Sequence, residues 1–178
     1  MKKLILFLTA ILIISLTSFS QRTPVRADPA IFSIRILSTT GKIVDVNNLQ
    51  YPGVYLLKVR FQNNHLSNAI PPGSAYIQVG LGLGLILDST FDLHSAGYSR
   101  YMTYYYRKLE GKQAQLSCVI SKPLPANFTG SATFRVQTTG VLCSATSCNF
   151  LVNNGNPLYT LVDEDPTKNS AALEYCNK

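Results

Sequence analysis

The run VGLGLGLILD, Val79 to Asp88, decides how this chain is read. Its three glycines and trailing acid invite a phosphate-binding loop, where glycines let backbone approach a pyrophosphate and the acid holds a ribose. That fingerprint is spaced G-x-G-x-x-G and opens a helix. Here Gly80, Gly82 and Gly84 are spaced G-x-G-x-G, and Leu85-Ile86-Leu87 starts no helix. A strand period fits instead. Ala75, Ile77, Val79, Leu81, Leu83, Leu85 and Leu87 form one apolar row, while Tyr76, Gln78, Gly80, Gly82, Gly84, Ile86 and Asp88 take the other face. The stretch reads as one buried β-strand with a bare backbone face. Glycines in a strand mark a bulge, a bend or a close neighbour; Tyr104 and Tyr106 are the candidates to cover them.

The same alternation recurs along the chain. In GVYLLKVRF, Tyr55, Leu57, Val59 and Phe61 share a face and Lys58 and Arg60 oppose them. SATFRVQT sets Ala132, Phe134 and Val136 against Ser131, Thr133, Arg135 and Gln137. QLSCVIS groups Leu116, Cys118 and Ile120, and ATSCNFLVN groups Thr146, Cys148, Phe150 and Val152. Further strands are expected from Ile31, Lys42, Tyr98 and Ala171. Between them stand Asn47-Asn48, Pro52-Gly53, Pro71-Pro72-Gly73, Pro123 to Pro125 and Asn153-Asn154-Gly155, the residues that supply turn dihedrals. No amphipathic helix of three turns is found. Many short, half-apolar strands predict an all-β, two-sheet antiparallel sandwich, because each sheet must cover its apolar face with another.

Residues 1–20, MKKLILFLTAILIISLTSFS, have the build of a cleavable export signal: Lys2 and Lys3, an apolar run from Leu4 to Leu16, then Ser18-Phe19-Ser20 before Gln21. The run is too short for a spanning helix, which needs roughly 20 apolar residues. No integral membrane span is therefore expected after cleavage. Removing 20 of 178 residues leaves 158, a polar lead-in over 21–29 and a single domain over 30–178. The 16 Lys and Arg less Lys2 and Lys3 stand against 9 Asp and Glu, a net of +5 for the mature chain. Arg35, Lys58, Arg60, Arg100, Arg107, Lys108, Lys112 and Arg135 are scattered along the sequence. Export removes nucleic acid as a partner and leaves a weak attraction to anionic polysaccharide or lipid headgroups. The destination is periplasmic, cell-surface or extracellular.

Signals for chemistry are sparse. His94 follows Asp92 by two residues and precedes Ser95, but a Ser-His-Asp triad is assembled across a fold, and no G-x-S-x-G elbow is present. A small secreted hydrolase would need Asp92 and His94 to converge on a nucleophile. His65 sits in a predicted loop. Asp163 to Asn169, DEDPTKN, gathers three acids and an asparagine, an oxygen-rich loop without EF-hand spacing that reads first as a solvated turn. Cys143 and Cys148 have the spacing of a zinc half-site without a completing pair. No catalytic residue, metal or cofactor is assigned. Asn127-Phe128-Thr129 matches a glycosylation acceptor. The segment GYSRYMTYYYRK offers a surface of Tyr98, Tyr101, Tyr104, Tyr105 and Tyr106, whose amphipathic rings suit sugar or protein recognition. That tyrosine suits strands and packs over the glycine face is the favoured explanation of them.

Four cysteines in an exported chain predict two disulfides. Parity places Cys118 and Cys148 on apolar faces and Cys143 and Cys176 on outward ones, which favours Cys118–Cys148 with Cys143–Cys176. The rival set is Cys143–Cys148 with Cys118–Cys176.

The segments YPGVYLLKVRFQNNHLSNAIPPGSAYIQVGLGLGLILD, LPANFTGSATFRVQTTG and DEDPTKNSAALEYC resemble the immunoglobulin-like conserved repeat domains of bacterial surface proteins, including cell-adhesion-related modules. Pro72-Gly73 and Asp163, Pro166, Asn169 and Ala171 stand at the matching turns. The leader ending in Ser-Phe-Ser-Gln is similar to those of Bacteroidetes exported proteins. The resemblance implies an immunoglobulin-like sandwich without catalysis, serving as a spacer or adhesive unit at the cell envelope, with protein or cell-surface polysaccharide as partner. The chain holds a single copy, and its four cysteines lie outside the repeat pattern. A carbohydrate-binding module using exposed tyrosines is the alternative function.

Overall fold

The computed structural model describes residues 22–98, 100–108 and 113–178. The expected export signal over 1–20 lies outside them. Among the described residues eleven strands run in chain order: β1 (Thr23–Ala27), β2 (Pro29–Leu37), β3 (Val54–Asn63), β4 (Ala75–Leu81), β5 (Leu85–Leu87), β6 (Met102–Arg107), β7 (Ala114–Ile120), β8 (Phe128–Thr138), β9 (Cys143–Val152), β10 (Tyr159–Asp163) and β11 (Ser170–Cys176). Three short 3₁₀ turns, over Val46–Asn48, Leu93–Ala96 and Pro166–Lys168, are the helical elements among the described residues.

Two antiparallel sheets stack face to face. One has the order β2-β3-β8-β5 and the other β11-β9-β4-β7-β6. Their apolar rows meet as the alternation requires: Ile34, Ile36, Leu57, Val59, Phe61, Phe134 and Val136 from the first, Ile77, Val79, Leu116, Ile120, Phe150 and Tyr175 from the second. The strands read from QLSCVIS, SATFRVQT and ATSCNFLVN form with the predicted faces inward.

Four expectations change. The stretch 75–88 is two strands in different sheets. β4 stops at Leu81, a turn closed by the Leu85 N–H on the Gly82 carbonyl follows (3.0 Å), and β5 pairs with β8. Leu83, out at that turn, is 53% exposed. The lead-in is also structured: β1 forms a parallel ladder with β10, from Thr23 opposite Tyr159 to Ala27 opposite Asp163, and Ala27 is wholly buried. Sequence patterning did not mark β10. The run from Lys42 makes one bridge, Ile43 to Leu37, before the first 3₁₀ turn. The tyrosine strand begins at Met102, because Tyr98 takes a positive φ of 53° in the preceding turn.

What covers the glycines is also different. A Cβ on Gly82 would stand 2.3 Å from the Ala145 carbonyl oxygen and 2.7 Å from the Tyr175 hydroxyl. One on Gly84 would stand 2.7 Å from Tyr175 Cε2. Tyr175, from the far end of the chain, fills the notch that Tyr104 and Tyr106 were expected to cover. Gly80 is less crowded, facing Ser147 Oγ at 3.1 Å and Gln113 Oε1 at 3.3 Å, both mobile side-chain ends. Gly82→Ala should therefore lower unfolding free energy by about 1–3 kcal/mol through overpacking. Gly80→Ala should cost clearly less, and urea unfolding of the two variants distinguishes them.

Candidate interaction surface

The tyrosines divide by side. Tyr104 is buried, its hydroxyl donates to the Gly97 carbonyl, and its ring meets Phe134 edge-on at 5.9 Å. Burial, then the neighbouring Cys118, raises its ionisation above the ordinary tyrosine range. Tyr104 thus leaves the proposed ligand surface and joins the core. Tyr98 and Tyr101 meet Phe128 edge to face, at 5.2 and 5.4 Å, and Tyr98 stays 40% exposed. Tyr106 is half-buried against the core. Tyr105, 57% exposed, is the ring presented most openly. It lies on β6, a sheet edge whose ladder partner among the described residues is β7 alone.

The groups with chemical potential are occupied by turn geometry. Asp92 caps the second 3₁₀ turn by accepting from the His94 N–H (2.9 Å), and Ser95 Oγ donates to the Asp92 carbonyl (2.6 Å). Asp92, His94 and Ser95 thereby complete one exposed turn, and no nucleophile is brought to the imidazole by it. His65 Nδ1 accepts from the N–H groups of Ser67 (3.2 Å) and Asn68 (2.9 Å), leaving Nε2 3.6 Å from Glu164. In the DEDPTKN loop, Asp163 accepts from the Asp165 N–H and the Asn169 amide. Asp165 caps the third 3₁₀ turn and meets Lys168 Nζ at 2.8 Å. Lys168 first, then the Thr167 hydroxyl and N–H, hold the Asp165 carboxyl below its ordinary range. Among the described residues no three metal-ligating side chains gather, and no helix is long and apolar enough to cross a membrane.

The cysteines part company in a way that parity only half foresaw. Cys143 and Cys176, directly opposed on β9 and β11, form a disulfide. Cys118 and Cys148 do not pair, and both are free and buried. Alternation correctly turns both inward, but it carries no information on strand order. β4 lies between their strands, Ile77 opposite Cys118 and Val79 opposite Cys148. Two interstrand steps separate the backbones by about 9–10 Å, beyond the reach of a disulfide. Burial lifts the Cys118 thiol well above its ordinary range and pushes Cys148 up to about 12, so both are poor nucleophiles.

Sequence reasoning missed the loop cluster beside the disulfide. Asn177, nearly buried, aims its amide nitrogen at three carbonyls, those of Gly84 (3.1 Å), Thr139 (3.1 Å) and Val141 (2.8 Å). Three converging acceptors fix which end of that side chain is NH₂. Thr139 Oγ1 donates to the Leu83 carbonyl (2.7 Å), and a Cβ on Gly140 would stand 4.0 Å from Tyr51 Cζ. The result is a braced tip carrying Tyr51, Leu83, Val141 and Leu142, all exposed, Leu142 by 72%. A depression of about 320 Å³ lined by Pro52, Gly53, Val54, Gln137 and Thr138 adjoins it. The signal available in sequence was Val141-Leu142 directly after a Thr-Thr-Gly turn, two apolar residues where turn chemistry calls for polar ones.

No protein-family model matches the chain, and no curated protein matches it in sequence. Solved structures do. Salmonella alpha-2-macroglobulin superposes with a TM-score of 0.50 at 10% identity, over 86% of this chain and 9% of that one. This chain therefore corresponds to a small part of the macroglobulin. The fold is immunoglobulin-like. The CARDB domain of a Pyrococcus furiosus protein, solved with di-metal ions, has a TM-score of 0.48 at 12% identity over 85% of this chain and 93% of that one. A cohesin module from a Clostridium perfringens family 33 glycoside hydrolase has a TM-score of 0.44 at 7% identity over 85% and 96%.

Opening the disulfide loop, whose cysteines are 33 residues apart in sequence, should lower stability by about 3–4 kcal/mol on chain-entropy grounds. Denaturant unfolding of the Cys143→Ser, Cys176→Ser double variant measures it. Thiol titration of the wild type should find two reactive thiols once the chain is unfolded in denaturant and none in the native state.

Proposed function

We propose that this chain is an exported, non-catalytic β-sandwich module that works by contact with other macromolecules at the cell envelope, as a structural or adhesive unit. The observation that carries the reading is the braced tip. Exposed apolar side chains grouped on one rigid end mark a contact site, because leaving them in water is unfavourable and covering them is not. A surface already fixed in shape also loses little conformational entropy when a partner arrives. Export is supported by two features of different kinds: the leader-like residues 1–20 and a disulfide, a bond that persists in oxidising compartments. The carbohydrate-binding alternative is weakened by Tyr104 being core and rests mainly on Tyr105.

Two measurements test the proposal. The protein recovered from the exported fraction should have the intact mass of a chain beginning at Gln21; retention of residues 1–20 refutes cleavage. A photoreactive residue at position 142 should yield a discrete adduct with an envelope component in native cells, and Leu83→Ser with Val141→Ser should abolish it. Absence of any adduct from the folded, exported protein refutes the tip as a contact site.

A further inference from the structure

Basic residues that look scattered in sequence are gathered by the fold. On the outer face of the β2-β3-β8-β5 sheet, Arg35 of β2 stands directly opposite Lys58 of β3. Arg60 follows two residues along β3, and Arg135 of β8 lies opposite Leu56, one residue pair from Lys58 on the same face. Neighbours along a strand face are about 6.6–6.8 Å apart and opposed Cβ atoms about 5 Å apart. Four cations thus share a small patch of sheet. Arg135 has a partner, the buried carboxylate of Asp88 at 2.8 Å. Arg35, Lys58 and Arg60 have no carboxylate within 4 Å among the described residues.

Directly opposed like charges destabilise a sheet. A stable fold tolerates such a local conflict where function calls for it. The surroundings fit one kind of ligand. Arg60 lies over the Phe32 ring at 4.6 Å, a cation–π contact that helps place its guanidinium. Ser131, Thr133 and Gln62 face outward beside the cations. Centres of protein–protein interfaces are rich in aromatics and, arginine apart, depleted in charge. Here, among the described residues, several unpaired cations stand beside hydroxyls with Phe32 as the one exposed ring. Membrane-surface binding calls for several openly presented apolar anchors; on this face Phe32 is exposed, while Leu37 and Leu56 beside the cations are partly buried. A cationic, hydroxyl-lined sheet face complements a hydrophilic polyanion.

We propose that this outer sheet face binds an acidic polysaccharide, with Arg35, Lys58 and Arg60 holding its carboxylate, sulfate or phosphate oxygens and Arg135 at the margin. The surface is separate from the apolar tip and does not rest on it.

The test uses the protein purified from its exported fraction against alginate, dextran sulfate, neutral dextran, poly-L-glutamate and phosphatidylglycerol vesicles at low ionic strength. Alginate and dextran sulfate should bind, neutral dextran should not, and about 0.5 M salt should release both by screening. Arg35→Gln, Lys58→Gln and Arg60→Gln together should weaken binding roughly tenfold, since each exposed charge contact is modest. Arg100→Gln, Arg107→Gln and Lys108→Gln, the same change in net charge elsewhere, should alter it less than about twofold by that reasoning. The proposal is overturned by no binding to either acidic polysaccharide, by equal loss in the two triple variants, or by tighter binding to poly-L-glutamate or to vesicles. Leu83→Ser with Val141→Ser should leave polysaccharide binding unchanged, so this surface and the tip fail independently.

Discussion

Tyr175 seated against Gly82 and Gly84 is the constraint on which the rest of the structure depends. Between Leu81 and Leu85 the chain leaves one sheet for the other, and a crossing so short requires backbone to run almost in contact with the opposite end of the molecule. Glycine grants that approach, and the Tyr175 ring occupies the space the missing side chains leave. Three consecutive residues then finish the closure, each on the side that strand alternation dictates. Tyr175 plugs the interior, Cys176 is linked to β9 on the outer face, and Asn177 draws the loop carbonyls together. The exposed tip keeps its shape because of this closure.

Much of the fold was legible in the sequence because burial on one face of a sheet leaves a period of two. Phe61, Phe134, Cys118, Cys148 and Phe150 are inward for that reason. What parity cannot carry is the order of strands. It placed Cys118 and Cys148 correctly on an apolar face and still mispaired them, since nothing local says that β4 separates their strands. It also ran straight through Gly82 to Gly84, because a turn between two sheets preserved the alternation of apolar letters. β10 escaped notice for a related reason: a short, partly exposed strand completed by the distant β1 has little local signature.

The candidate sites were less legible than the fold. The tyrosine segment drew attention through composition, yet its rings serve mostly as packing around Phe128 and Phe134. The tip and the cationic face are each assembled from segments far apart in the chain, so neither leaves a contiguous motif. The Asp92-His94-Ser95 and DEDPTKN clusters show the converse. Polar residues close in sequence are the ones most readily used up by their own backbone, as caps and Asx turns.

The parallel pairing of β1 with β10 bears on how the molecule would withstand tension. β1 leads in from the amino-terminal side and β10 leads out, through a 3₁₀ turn, to the final strand. Drawn lengthwise against one another, these parallel neighbours would load every rung from Thr23–Tyr159 to Ala27–Asp163 at once instead of peeling singly. With Cys176 covalently held to Cys143, force entering from the carboxyl-terminal side crosses to the first residue of β9 before it can strip β11. Tension from that side therefore travels through the covalent bond, and the loop that holds β10 is spared it.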